Sequence, residues 1–200
     1  MNDECRFMLI NRMEKSLVAG KHMPDMVFAD EWDAYYFYPS DYLTEDETAE
    51  IIWSLMDLNG ESLFCIVDMI TLPEDETDSV SYININETKD KYKDYRSVWN
   101  QKRKDGLAWL HNVDAYALSS TSGKWFIYSE RDNEIAIIAL KGMETIKCFA
   151  EHKYLVHAIL PDDLNRKEIL VSPLDRLDPA WCENFSQVLQ PPGLTKAIIQ

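Results

Sequence analysis

Apolar residues recur at helical intervals in four parts of the chain. The first of these parts ends at Gly20, a residue that commonly follows the last turn of a helix. The second begins at Thr44-Glu45-Asp46-Glu47, which has the sequence of a capping box, and stops before Asn59-Gly60. The pattern therefore predicts helices over residues 1–20, 44–58, 89–104 and 178–189.

Shorter apolar runs, rich in aromatic and β-branched residues, lie between the predicted helices. They predict strands over residues 33–38, 63–72, 80–86, 113–119, 124–129 and 134–140, with 169–171 as a candidate edge strand. Because the last three long runs are separated by very short turns, neighbouring strands there must be antiparallel. The chain is therefore predicted to be an α+β protein, with an antiparallel sheet that contains a three-stranded meander over about 113–140 and is covered by helices on one side.

The composition is that of a folded protein with a substantial core. The 200 residues are 46% apolar, and the 6 glycines and 8 prolines are too few for a disordered chain. No linker or repeat divides the sequence, so residues 1–200 are predicted to form a single domain. The chain has no apolar run long enough to span a membrane and no signal peptide at its start, which predicts a cytoplasmic protein with reduced cysteines.

Charge is distributed very unevenly along the chain. Residues 22–88, the acidic window, contain 17 Asp or Glu and neither Lys nor Arg. The whole chain has 35 acidic and 20 basic side chains, so the 18 acidic and 20 basic side chains outside the window nearly cancel. A surface field of one sign attracts cationic partners and repels nucleic acid and anionic membranes. The sequence therefore predicts a basic protein partner, with no nucleic-acid or membrane binding.

The candidate binding residues all lie in the acidic window. On the helix after Thr44, a step of about 100° per residue places three carboxylates beside Trp53. An aromatic side chain among carboxylates can anchor a protein contact, although Trp53 can equally pack beneath a loop or against the sheet. The predicted protein-binding residues are Trp32, Asp33, Asp46, Glu50, Trp53, Asp57, Glu74, Asp75 and Glu76. The last three belong to a charged run that is either a solvated loop or a contact loop.

A basic cluster follows the acidic window directly and alternates with aromatic residues. Taken alone it resembles a nucleic-acid footprint, but Tyr92, Tyr95 and Trp99 have the spacing of a buried helix stripe. We therefore predict that the cluster neutralises the protein's own acidic window. It consists of Lys89, Lys91, Lys93, Arg96, Lys102, Arg103 and Lys104.

No catalytic or cofactor motif stands out. Residues 57–62 superficially resemble a calcium loop, but the glycine comes too early and position twelve is Asp68 instead of glutamate. The four histidines lack metal-binding spacing, and no glycine-rich phosphate loop is present. Glu130, Asp132 and Glu134 flank Arg131 in a predicted hairpin turn; a carboxylate pair for acid–base chemistry is one interpretation, but turn chemistry and a surface ion pair explain them adequately. The sequence predicts neither a catalytic residue nor a cofactor.

One stretch resembles a known class of protein. The residues are Trp109, then 114–119, 124–131 and 134–137. Within them, the phrase Trp-x-x-Tyr-x-Glu-Arg-x-x-Glu-Ile-Ala resembles one in small bacterial proteins of the polymorphic-toxin immunity type. The resemblance implies a non-enzymatic bacterial protein, but it assigns no binding residue because immunity proteins bind through variable surfaces.

Three functions are consistent with these observations. The first is a non-enzymatic acidic protein-binding module, an immunity protein that occludes a basic toxin or nuclease. The second is a hydrolase that binds a divalent metal through clustered carboxylates. The third is a structural protein whose aromatic residues close a homodimer.

Overall fold

The computed structural model describes residues 3–70, 79–104, 106–109, 113–152, 158–160 and 183. The described α-helices are α1 (Asp3–Ser16), α2 (Asp46–Leu58), α3 (Lys91–Trp99) and α4 (Met143–Ala150). The described strands are β1 (Ala34–Pro39), β2 (Leu63–Asp68), β3 (Val80–Asn84), β4 (Ala115–Ser120), β5 (Trp125–Glu130) and β6 (Ile135–Leu140). The predicted α+β class with an antiparallel sheet is confirmed. The predicted strand at 169–171 and helix at 178–189 lie outside the described residues.

The six strands form one sheet in the order β1-β6-β5-β4-β2-β3, and each neighbouring pair is antiparallel. Short turns join β4 to β5 and β5 to β6. Gly123 in the first turn has a φ of +64°, and Glu134 in the second has a φ of 54°. Glycine adopts this left-handed conformation without steric cost, whereas Glu134 adopts it at a modest one.

Both faces of the sheet are buried, so the prediction of helices on one side is wrong. In β5, Phe126 and Tyr128 contribute to one core cluster, while Trp125 and Ile127 contribute to the other. Helices α2, α3 and α4 cover the face that carries Trp125. Helix α1 and the residues after it cover the opposite face. Near-continuous apolar runs such as β6 are typical of strands that are buried on both faces.

Residues 17–28, here called the strap, leave α1 and fold back over the sheet. Leu17 and Phe28 form an isolated antiparallel bridge at the base of the strap. Met23 and Val27, within the strap, are buried in the core on this face of the sheet, with exposed fractions of 6% and 1%. The strap thus completes the second layer that α1 begins.

The predicted capping box at the start of α2 does not form. Residues Ser40–Thr44 make a 3-10 turn, and Thr44 Oγ1 donates to the carbonyl of Asp41 at 3.2 Å. The N-cap of α2 is Glu45, which makes no side-chain capping hydrogen bond. Because the Thr44 hydroxyl is hydrogen-bonded within the 3-10 turn and the N-cap is Glu45, Glu47 does not take part in a capping box.

Helix α3 is shorter than predicted at both ends. Asp90 is its N-cap and accepts a hydrogen bond from the Lys93 amide at 3.1 Å. After Asn100 the chain folds back on itself, because Trp109 N–H donates to the carbonyl of Gln101 at 2.8 Å. This return places Trp109 against Trp99, with ring centroids 5.6 Å apart.

No helix among the described residues is long and apolar enough to cross a lipid bilayer. The described cysteines are free thiols: Cys5 is exposed, Cys148 is half-buried, and Cys65 is fully buried. Burial raises the pKa of the Cys65 thiol, so that this side chain stays protonated within the core.

Two glycines of similar backbone conformation provide a matched test of the β4–β5 turn. Gly60, with a φ of +63°, has open space where a Cβ would lie, whereas a Cβ on Gly123 would lie 2.8 Å from Arg12 Nη1. We expect Gly60→Ala to lower the free energy of unfolding by about 1 kcal/mol through backbone strain alone. Gly123→Ala should cost about 1 kcal/mol more, because Arg12 must give up its hydrogen bond to the Thr121 carbonyl. Urea unfolding measures both, and equal losses would show that Arg12 does not constrain this turn.

Candidate binding surface

The predicted acidic stripe of α2 is largely occupied by the protein's own cations. Glu50 lies 2.6 Å from Lys91 Nζ and also accepts a hydrogen bond from the Tyr92 hydroxyl. Asp46 lies 3.4 Å from Arg96 Nε. Both pairs join α2 to α3, so these carboxylates are not available to a partner in the way that the sequence predicted.

A third pair neutralises the end of β2. Asp68 and Arg103 are 2.7 Å apart, and their side chains are 2% and 10% exposed. Arg103 belongs to the return segment after α3, while Asp68 also accepts a hydrogen bond from the Ile70 amide. The three pairs confirm that the basic cluster neutralises part of the acidic window.

The two predicted aromatic anchors both pack against other aromatic side chains of the protein. Trp32 is 5% exposed and lies near Phe126, with ring centroids 6.1 Å apart. Trp53 is half-buried and makes an edge-to-face contact with Phe64 at 5.5 Å. Trp32 is therefore unavailable as an anchor, and the alternative for Trp53, packing against the sheet, is correct. Burial of a large apolar ring outweighs any gain from exposing it among carboxylates.

The remaining predicted protein-binding residues lie in different surroundings. Asp33 is exposed, but its carboxylate accepts a hydrogen bond from the Gly142 amide at 2.7 Å. Asp57 is exposed in the last turn of α2, where the partial negative charge of the helix C-terminus disfavours a carboxylate and no basic residue of the turn offsets it. Glu74, Asp75 and Glu76 lie outside the described residues.

A different group of carboxylates remains without ion pairs at the corner between β1 and α2. Asp41 and Glu45 are exposed, and Glu47 is half-buried. None of the three forms an ion pair with another described residue. The failed capping box leaves Glu47 in this group, and the half-buried ring of Tyr42 lies among them in the sequence.

Neighbouring turns add three more exposed carboxylates at the same end of the sheet. The end of β1 pairs with the start of β6, and the Ser40 amide donates to the Glu134 carbonyl at 3.0 Å. The Arg131 amide donates to the Asp114 carbonyl at 2.8 Å, which joins the β5–β6 turn to the start of β4. We call this surface the acidic end; its carboxylates are those of Asp41, Glu45, Glu47, Asp114, Asp132 and Glu134.

The negative charge of this surface helps to raise the pKa of two buried tyrosines nearby. Burial raises the pKa of Tyr38 to about 12, and the carboxylates of Glu47 and Glu45 add to the shift. Burial also raises the pKa of Tyr116 to about 12, where Asp41 adds to the shift and Arg131 opposes it. The carboxylates of Asp41, Glu45 and Glu47 therefore add to the rise in the pKa of two separate buried tyrosines.

Glu130 occupies a position that differs from its sequence-based prediction. The sequence predicts it in a surface turn, but it is the last residue of β5 and only 8% exposed. Its carboxylate accepts hydrogen bonds from the Tyr128 hydroxyl at 2.7 Å and the Met23 amide at 2.9 Å. The alternation of Phe126, Tyr128 and Glu130 could have indicated this, because alternate residues of a strand share a face.

The described residues contain no group of three or more His, Cys, Asp or Glu side chains arranged to hold a metal ion. The acidic end presents six carboxylates, which are negatively charged hydrogen-bond acceptors. Such a surface attracts lysine and arginine side chains and presents oxygens where a cationic cleft would hold phosphates.

Comparisons with known proteins do not assign the chain to a family: no family model, curated protein or solved structure matches it.

Two arginines allow the buried and exposed ion pairs to be compared. We expect Arg103→Met to lower the free energy of unfolding by about 3 kcal/mol or more, because it removes the cation that is paired with the buried carboxylate of Asp68. Arg96→Met should cost less than about 1 kcal/mol, since its pair with Asp46 is solvent-exposed. Chemical unfolding of the two variants checks this order, and a smaller loss for Arg103→Met than for Arg96→Met would contradict it.

Proposed function

We propose that this chain is a non-enzymatic, acidic protein-binding module that covers a cationic surface of a basic protein in the cytoplasm. The proposal requires no cofactor, nucleic acid or membrane. It is consistent with the resemblance to bacterial immunity proteins, for which the partner would be a basic toxin or nuclease.

The observation that carries the proposal is the absence of ion pairs, among the described residues, at the acidic end, which combines three carboxylates of the acidic window with three from later turns. Lys91, Arg96 and Arg103 pair with carboxylates on α2 and β2. The acidic end makes no ion pair within the described part of the chain, and Arg131 is the basic residue in its turns. Unneutralised carboxylates on a small surface repel one another, and a cationic partner relieves that repulsion.

The binding site we propose therefore differs from the predicted stripe. Its charged part is the acidic end, and its aromatic part is Tyr42, whose ring lies 5.9 Å from Tyr38. Tyr42 takes the anchoring role that the sequence gave to Trp53 and Trp32. Carboxylates around an aromatic group accelerate encounter with a cationic partner more than they tighten the final complex.

A pair of triple variants with equal changes in net charge tests the location. The site variant carries Asp41→Asn, Glu45→Gln and Glu47→Gln. The control variant carries Glu31→Gln, Asp57→Asn and Glu144→Gln, three exposed residues away from the acidic end. Each tagged protein is used to capture partners from an extract of the cells that produce it, and the association rate is then measured with the purified partner.

We expect the wild-type protein to retain a basic protein whose association slows about tenfold or more when ionic strength rises from low to about 0.5 M. The site variant should show a comparable loss of association rate, whereas the control variant should stay within about twofold of the wild type. Retention of no basic protein at either ionic strength would refute the proposed function. Equal losses in both variants would show that overall charge, and not the acidic end, governs binding.

A further inference from the structure

Asn59 closes the C-terminal end of α2, and it is the asparagine of this chain that a glycine follows. Its side-chain amide donates to the Leu55 carbonyl at 2.7 Å, and its backbone N–H donates to the same carbonyl at 3.2 Å. Gly60 is exposed, and its φ of +63° turns the chain away from the helix axis. Asn59 thus caps the helix with both its side chain and its backbone.

An Asn-Gly pair can react without an enzyme. The Gly60 nitrogen attacks Asn59 Cγ, and the new N–Cγ bond closes a cyclic imide. The Cγ–Nδ2 bond breaks, and the side-chain nitrogen leaves as ammonia with the proton from the Gly60 nitrogen. Water then adds to the imide and opens it to aspartate or isoaspartate. Glycine favours the first step because it has no Cβ to crowd the attacking nitrogen.

The closed end of α2 holds the pair away from the geometry that this reaction needs. Ring closure requires the Gly60 nitrogen to lie beside Asn59 Cβ about the Cα–C bond, but the Asn59 ψ of 2° places it beside the Asn59 nitrogen instead. The Gly60 N–H also donates to the Asp57 carbonyl at 3.2 Å, and the leaving amide is bonded to Leu55. The reaction therefore requires the last turn of α2 to open, and helix ends open at the lowest cost.

We propose that Asn59 is a site of spontaneous deamidation, which proceeds through opening of the last turn of α2 and whose product keeps that turn open. The product carboxylate has no N–H to donate to the Leu55 carbonyl. It also adds a negative charge at the helix C-terminus, in a turn that already contains Asp57 and has no basic residue. Each event removes the cap irreversibly, whether or not the proposed partner binds.

Asn100 provides an internal comparison, because it closes α3 in the same way. The backbone angles are φ −93° and ψ 2° at Asn59, and φ −93° and ψ 0° at Asn100. The Asn100 side-chain amide donates to the Arg96 carbonyl at 2.9 Å, and the Gln101 N–H donates to the Val98 carbonyl at 3.1 Å. Asn100 is also the more exposed of the two asparagines. A faster reaction at Asn59 must therefore come from the glycine that follows it.

Mass spectrometry of proteolytic peptides tests the site, since it measures the mass gained when an amide becomes an acid. The folded protein is incubated in a mildly alkaline buffer at body temperature. We expect Asn59 to react at least about tenfold faster than Asn100, and Gln101→Gly to raise the rate at Asn100 by about tenfold. Unfolding in guanidinium chloride should raise the rate at Asn59 by about tenfold or more, because it removes the closed turn.

Hydrogen exchange at the end of α2 tests the effect of the product. Asn59→Asp, which reproduces one product, should raise amide exchange in the last turn of α2 by about threefold or more. Asn59→Ala, which removes the donor without adding charge, should raise it less.

Equal rates at Asn59 and Asn100 in the folded wild-type protein would overturn the proposed site, as would the absence of reaction at Asn59. Equal rates at Asn59 in the folded and unfolded protein would show that opening of the turn does not control the reaction. Exchange in Asn59→Asp no faster than in Asn59→Ala would overturn the proposed effect of the product. These outcomes do not depend on the capture of a basic partner, so they leave the proposed function to its own test.

Discussion

The ion pairs between the acidic window and the segment that follows it constrain the rest of the structure. Because the window contains no lysine or arginine, each of its pairs to α3 or to the return segment joins distant parts of the chain. The pair between Asp68 and Arg103 is the most consequential, since it is the most buried of the three and breaking a buried pair costs more than breaking an exposed one. The exposed pairs contribute less energy but orient α3 alongside α2.

Aromatic packing holds the cationic segment in place for this role. Trp99, Trp109 and Tyr116 contact one another edge to face, with centroid separations between 5.2 and 6.2 Å. Trp99 ends α3, Trp109 follows the return segment, and Tyr116 lies on β4. Arg103 is between the two tryptophans in the sequence, so the same packing that closes the core also delivers its guanidinium to Asp68. The six carboxylates of the acidic end take part in none of these pairs, although Asp46 lies between Glu45 and Glu47 and Asp68 pairs with Tyr116 close to Asp114.

The sequence predicted the fold class and the position of most strands because long apolar runs and short turns are local signals. It also predicted the pairing of acidic and basic segments, since Tyr95 and Trp99 marked the buried side of α3. It did not predict which carboxylates would pair, because Asp46 and Arg96 are brought together only by the packing of α2 on α3. Trp32 and Trp53 were misplaced for a similar reason: a tryptophan among acidic residues is ambiguous until the tertiary fold shows what lies beneath it.

Other errors arose where one local signal competed with another. The predicted capping box does not form, because the Thr44 hydroxyl is hydrogen-bonded to the Asp41 carbonyl within a 3-10 turn. Glu130 was assigned to the surface because charged neighbours suggested a turn, although strand alternation placed it beside Tyr128 on a covered face. The acidic end combines residues from three separate turns, so only the strand order could reveal it.

The function proposed for this chain requires the unneutralised charge to lie at the acidic end and not on the face of α2. A titration with a short oligolysine peptide at low ionic strength, followed by nuclear magnetic resonance of backbone and carboxyl groups, distinguishes the two locations. We expect the largest shifts at Asp41, Glu45, Glu47 and Glu134, with little change at Asp46 and Glu50. Shifts centred on Asp46 and Glu50, or spread evenly over the molecule, would contradict this location.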